Sequence, residues 1–183
     1  TIPQCVTDQM TETLDHLAAL SPLIYVTTPE ENRFISELIP HLENNSYPAW
    51  TADNPQDNGK FSREIFLWSR ASGLRQWKRT ESTTSTTYQE RATFQLFSVT
   101  DQEPLVQETI IESSGTPKGF LDFIASHILD SEEPAIYILQ DPHLFFNPMD
   151  WRRIKDLLPL LKMRRVPTSL LFVCSSVGHN GAR

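Results

Sequence analysis

Residues 135–147 read AIYILQDPHLFFN, an apolar run from Ala135 to Leu139 that passes through Gln140 into Asp141, Pro142 and His143. A run this short, continuous and rich in β-branched residues predicts a strand covered on both faces, as in the interior of a parallel sheet. The segments on either side read as helices. Thr116 as N-cap and Pro117 at the first helical position introduce a stripe of Phe120, Phe123, Ile124 and Ile128. Asn147 and Pro148 repeat that start signal before a stripe of Trp151, Ile154, Leu158 and Leu161, with a bend expected at Pro159. SLLFV at 169–173 is a further apolar strand.

The first part of the chain has the same rhythm. Met10, Leu14, Leu17 and Ala18 predict a helix over roughly 8–20, stopped by Ser21-Pro22. LIYV at 23–26 predicts a strand. Phe34, Ile35, Leu38, Ile39 and Leu42 then form a helical stripe that Pro40 is expected to kink or end early. Between these halves, 43–60 reads as loop with a short strand at YPAW (47–50), and EIFLWS followed by GLRQW reads as a hairpin turning at Ser72-Gly73. The polar run from Lys78 predicts a mobile excursion over about 78–92, and ATFQLFSV at 92–99 a strand that resumes the sheet. Alternating strands and helices with apolar strands predict one three-layer α/β/α domain, residues 1–183, with a mainly parallel sheet.

Composition narrows the function classes. With 39% apolar residues the chain can bury a substantial core, and a net charge of −7 repels phosphate backbones, which makes nucleic acid a poor partner. Cys5 and Cys174 are far apart and belong to no Cys/His cluster, which points to a reducing compartment such as the cytoplasm and to no zinc site. No apolar run has the length of a membrane span.

In parallel α/β sheets ligands bind beyond the carboxyl ends of the strands. A carboxylate there, such as Asp141, is the pattern by which nucleotide hydrolases hold magnesium. The phosphate half of such a site needs a GxxxxGK[ST] turn, because only glycines let successive N–H groups wrap a phosphate while a lysine neutralises it. The loop after LIYV instead reads TTPEENR, Thr27 to Arg33. Thr28 and Glu31 are spaced as a capping box, and Glu30 and Glu31 put negative charge where a phosphate would sit. The Gly59-Lys60 pair follows a loop and lacks the first glycine, so it is no phosphate loop. His143 has the chemistry of a base but no motif around it. Ser175 and Ser176 lack any nucleophile context.

Basic residues form two groups. Arg70, Arg75, Lys78 and Arg79, interleaved with Trp68 and Trp77, have the composition of a single-strand nucleic-acid platform, or of a charged hairpin edge that blocks pairing; the edge reading is preferred. Arg152, Arg153 and Lys155 stand where a helix face is solvated or reaches a neighbouring subunit.

PLIYVTTPEENR, FLWSRASGL, AIYILQDPHLFFNPMDWRRIKDL and TSLLFVCSS together resemble the N-terminal domain of the AAA-family ATPases encoded in cyanobacteria and, as a hypothetical chloroplast reading frame, in algal plastid genomes. Thr28, Glu30, Glu31 and Arg33 match one block of that family; Leu139, Asp141, His143, Pro148, Arg153, Asp156 and Leu157 match a second. Gln140, Pro142 and Pro159 depart from it. The resemblance implies a degenerate P-loop NTPase-like (AAA/RecA-like) domain in which Thr27, Thr28, Glu30, Glu31, Arg33, Asp141 and His143 mark a former nucleotide site. It also implies a longer ATPase, of which the chain, opening at Thr1, is the N-terminal part. ATP and magnesium then belong to an attached AAA module, and the partners are that module, neighbouring subunits and a further protein. The function implied is non-catalytic regulation or assembly, in photosynthetic or inorganic-carbon control. An NTPase with an atypical site near Asp141, and a nucleic-acid adaptor using the 68–79 hairpin, are the alternatives.

Overall fold

A computed structural model describes residues 4–43, 63–79, 106–111 and 115–175. In chain order the elements are α1 (Gln4–Ala18), β1 (Leu23–Thr27), α2 (Glu31–Glu43), β2 (Glu64–Ser69), β3 (Gly73–Arg79), β4 (Val106–Ile111), α3 (Pro117–Asp130), β5 (Ala135–Gln140), the single turn α4 (Pro142–Phe145), α5 (Pro148–Met163) and β6 (Thr168–Cys174). They build the expected α/β architecture around a 6-stranded sheet of order β1-β6-β5-β2-β3-β4. β1, β6, β5 and β2 are parallel neighbours, and β3 runs antiparallel between β2 and β4.

Strand parity explains the three layers. Ile24, Val26, Ile65, Leu67, Ile136, Ile138, Leu171 and Val173 pack on one face against Leu17 of α1 and Phe34, Leu38 and Leu42 of α2. Their alternates Phe66, Trp68, Tyr137, Leu139, Leu170 and Phe172 pack on the other against Phe120 and Ile124 of α3 and Ile154, Leu157 and Leu161 of α5. Both faces being covered, every residue of β6 is buried, which is why these strands read as unbroken apolar runs.

Helix starts follow their sequence signals on α3 and α5. The Thr116 hydroxyl accepts from Gly119 N–H at 3.1 Å. Asn147 and Asp150 form a reciprocal capping box, each side chain accepting the other's backbone N–H at 2.9 Å.

Four expectations need correction. The box between Thr28 and Glu31 does not form, because the Thr28 N–H donates to the Cys174 carbonyl at 2.9 Å; the Thr28 hydroxyl accepts instead from Glu30 N–H at 3.2 Å. α2 continues through Pro40 to Glu43, held by the buried stripe around it. β3 is no edge: it is paired on both sides, and extends through Lys78 and Arg79, where the excursion was expected to begin. α1 spans Gln4–Ala18 rather than 8–20. β4 had no counterpart in the sequence reading. The expected strands at 47–50 and 92–99, and the rest of the 78–92 excursion, lie outside the described residues.

A half-buried polar group sits at the amino end of the sheet. His127 of α3 places Nδ1 2.5 Å from the Tyr137 hydroxyl and Nε2 2.9 Å from the Glu64 carboxylate. Burial lowers the His127 pKa, against the pull of Glu64, and pushes that of Tyr137 up. Arg164 ties the following loop by donating to the Ser131 carbonyl and, at 2.8 Å, to Thr168 Oγ1.

Ile138 lies at the middle of β5 and is fully buried. Ile138→Ala is expected to destabilise the fold by about 2–5 kcal/mol through lost burial and the cavity left behind. Urea titration of both proteins should show a lower midpoint for the variant with an unchanged slope.

Candidate functional site

Because β1, β6 and β5 are parallel neighbours, their carboxyl ends meet at one end of the sheet, and β6 holds the loops on both sides. Its Cys174 carbonyl accepts from Thr28 N–H and its Val173 carbonyl from Asp141 N–H, each at 2.9 Å. The β1–α2 and β5–α4 turns are thereby fixed side by side, although 113 positions separate residues 28 and 141. A cleft of about 670 Å³ opens between them, lined by Glu30, Glu31, Arg33, Arg70, Gln140 and Asp141 among others.

Asp141 occupies the left-handed region at φ 50°, ψ 44°, where Asp is among the few non-glycine residues found. Its Oδ1 accepts from both the Ser175 N–H, at 2.7 Å, and the Ser175 hydroxyl, at 2.9 Å. The Glu31 carboxyl is a neighbour of this carboxylate. Partial burial, followed by the neighbouring Asp141 charge, pushes the Glu31 carboxyl up to about 7. Beside them, burial raises the Cys174 thiol, and a hydrogen bond to that thiol raises Tyr25.

The other candidate residues separate into those in the cleft and those outside it. Arg33 is held by Glu30 and Glu37, both at 3.2 Å, and Arg70 donates to the Gly115 carbonyl at 3.0 Å. Gln140 Nε2 donates to Asn32 Oδ1 at 2.9 Å, bridging the two loops. Thr27 is exposed at the end of β1, and His143 is exposed on α4, outside the cleft lining. Arg152 pairs with Asp156 on its own helix at 3.3 Å, while Arg153 reaches Asp122 of α3 at 2.7 Å.

Trp68 is 1% and Trp77 5% exposed, so neither offers a face on which a base could stack, and the single-strand platform is not built. Trp68 packs instead among Phe120, Phe145 and Phe146. The sequence reading missed the pairing of Glu31 with Asp141 and the part of Ser175 in it; these contacts come from the sheet order, and no local signal announces them.

A family model for the N-terminal domain of SpoVK-like AAA ATPases matches residues 10–179. The chain belongs to this family. No curated protein gives a significant match. Among the described residues, no helix is long and apolar enough to cross a membrane and no group of three or more His, Cys, Asp or Glu side chains is arranged to hold a metal ion.

A carboxyl whose folded pKa lies above its unfolded value stabilises the fold at low pH and loses that contribution as pH rises through the folded value. For Glu31 the window runs from the ordinary 4.5 to about 7. His127, with its lowered pKa, acts in the opposite sense, its contribution fading as pH falls below the ordinary 6.5. The comparison of wild type with Glu31→Gln cancels His127: between pH 5 and pH 8 (roughly spanning the Glu31 window) the wild type should lose stability relative to the variant. In Asp141→Asn the Glu31 carboxyl, followed by carbon NMR, should titrate closer to the ordinary range.

Proposed function

We propose that this SpoVK-like AAA N-terminal domain is a non-catalytic regulatory or assembly module that acts through protein contacts and leaves nucleotide chemistry to an attached AAA module. One observation carries the reading. At the turn where a phosphate would need consecutive free N–H groups and a lysine, the domain presents Thr28 with its N–H bonded to Cys174, and Glu30, Glu31 and Asp141 as the groups facing the cleft. A triphosphate entering there would meet carboxyl groups; the cations of the lining, Arg33 and Arg70, are engaged by Glu30, Glu37 and the Gly115 carbonyl.

The surface beside the cleft supports protein contact. Leu144, Phe145 and Met149 are 57%, 44% and 70% exposed on consecutive turns. Neighbouring apolar side chains of this kind are what partner proteins cover. Arg152 is exposed on the same helix as Met149 and on this reading serves contact with a neighbouring subunit, whereas Arg153 serves the α3–α5 contact. A role in photosynthetic or inorganic-carbon regulation, with the stroma as one setting, follows from the sequence resemblance, and a reducing compartment such as the cytoplasm from the cysteine usage.

Isothermal calorimetry of the 183-residue chain with Mg-ATP is expected to give no saturable heat, and a phosphate-release assay no turnover. Saturable micromolar binding, or turnover abolished by Asp141→Ala, would establish instead an atypical nucleotide site at the β5 end.

A further inference from the structure

Among the described residues β1 has a neighbour on one side only. The Pro22 carbonyl accepts from Leu170 N–H at 2.8 Å and Thr28 N–H donates to Cys174 at 2.9 Å, so the even-numbered residues of β1 bond to β6. Leu23, Tyr25 and Thr27 consequently aim their N–H and C=O groups away from the sheet. Exposed edges of monomeric sheets are usually blunted by charge, proline or a bulge. LIYVT carries none of these within the strand, and Tyr25 is 57% exposed.

The rim beside this edge is acidic. A groove of about 260 Å³ runs between β1 and α1, lined on the helix side by Gln9, Glu12, Thr13 and His16 at helical spacing. From Gln4 to Ala18 the helix contains no lysine or arginine; the Glu12 side chain in the groove lining is 76% exposed and lies 3.8 Å from His16 Nε2, and Asp15 follows one turn on. One outward carbonyl, that of Thr27, is already taken at 2.5 Å by the Gln9 side-chain amide, which occupies the place of a strand donor.

We infer that the β1 edge is a docking site for an extended, basic segment of a partner protein, which adds as a strand alongside Leu23–Thr27 with its lysines or arginines against α1. The backbone pattern selects an extended chain, since only a strand matches donors and acceptors that alternate along an edge. The helix charge selects its sign. A second copy of the domain is the poorer occupant, because two β1 edges brought together place two acidic α1 helices side by side. The proposal rests on the protein-contact reading and gives it a surface; it lies on the outer edge of the sheet, so a nucleotide result at the cleft and a peptide result here fail separately.

The probe is a seven-residue peptide alternating lysine and valine, with a glutamate–valine peptide as control, titrated into the full chain and followed by amide chemical shifts and hydrogen exchange. The lysine peptide is expected to shift β1 and the facing turns of α1, to protect the Leu23, Tyr25 and Thr27 amides, and to weaken with salt. Tyr25→Pro removes one outward donor without touching the β6 ladder and should abolish binding. If that variant fails to fold, Glu12→Lys decides, with a loss of roughly fivefold or more. Equal binding of the acidic peptide, shifts confined to other surfaces, no binding at low salt, or a concentration-dependent dimer that shields β1 would each overturn the proposal.

Discussion

The structure depends on β6. It is buried along its whole length between β1 and β5, so each of its peptide groups must find a partner on one side or the other, and the parallel arrangement directs its last carbonyls to the backbones of the two adjoining loops. The Val173 and Cys174 carbonyls fix the Asp141 and Thr28 amides, and Ser175 just beyond the strand end donates twice to Asp141. The cleft, the Glu31–Asp141 pair and the exposed outer edge of β1 all follow from placing β6 between strands that precede it by more than a hundred and by some thirty residues.

Much of this was legible in the sequence because burial on both faces leaves a composition signature. AIYIL, LIYV and SLLFV could be recognised as central strands without knowing their neighbours, and the helices between them announced themselves by stripe and by cap. β3 was misread for a physical reason. GLRQWKR mixes charged with apolar residues, the pattern of a strand with one open face, and composition does not say whether the edges of such a strand are paired. β4, VQETII, is half polar and was passed over.

The candidate site was legible in its residues and illegible in its contacts. Asp141 and Glu31 were singled out by position after apolar strands, yet their pairing is a product of the order β1-β6-β5, and nothing within either loop encodes that order. The capping box failed similarly. Local spacing offered Glu31 to the Thr28 N–H, but the Cys174 carbonyl at the end of a buried strand had greater need of that donor, and the Glu31 carboxyl turned to Asp141. Local hydrogen-bond signals are dependable where the helix start stands free of the sheet, as at Asn147, and yield where a strand end competes for the same group.

The aspartate after β5 thus has a structural use that accounts for its presence without a metal. A left-handed residue must turn the chain from β5 into α4, which favours Gly, Asn or Asp, and among these only the carboxylate also offers a charged acceptor to the two Ser175 donors. Partial burial, followed by this same charge, raises the Glu31 carboxyl to about 7. On the other side of β1, α1 carries Glu12 and Asp15 along the edge to which the inferred basic, extended partner would add.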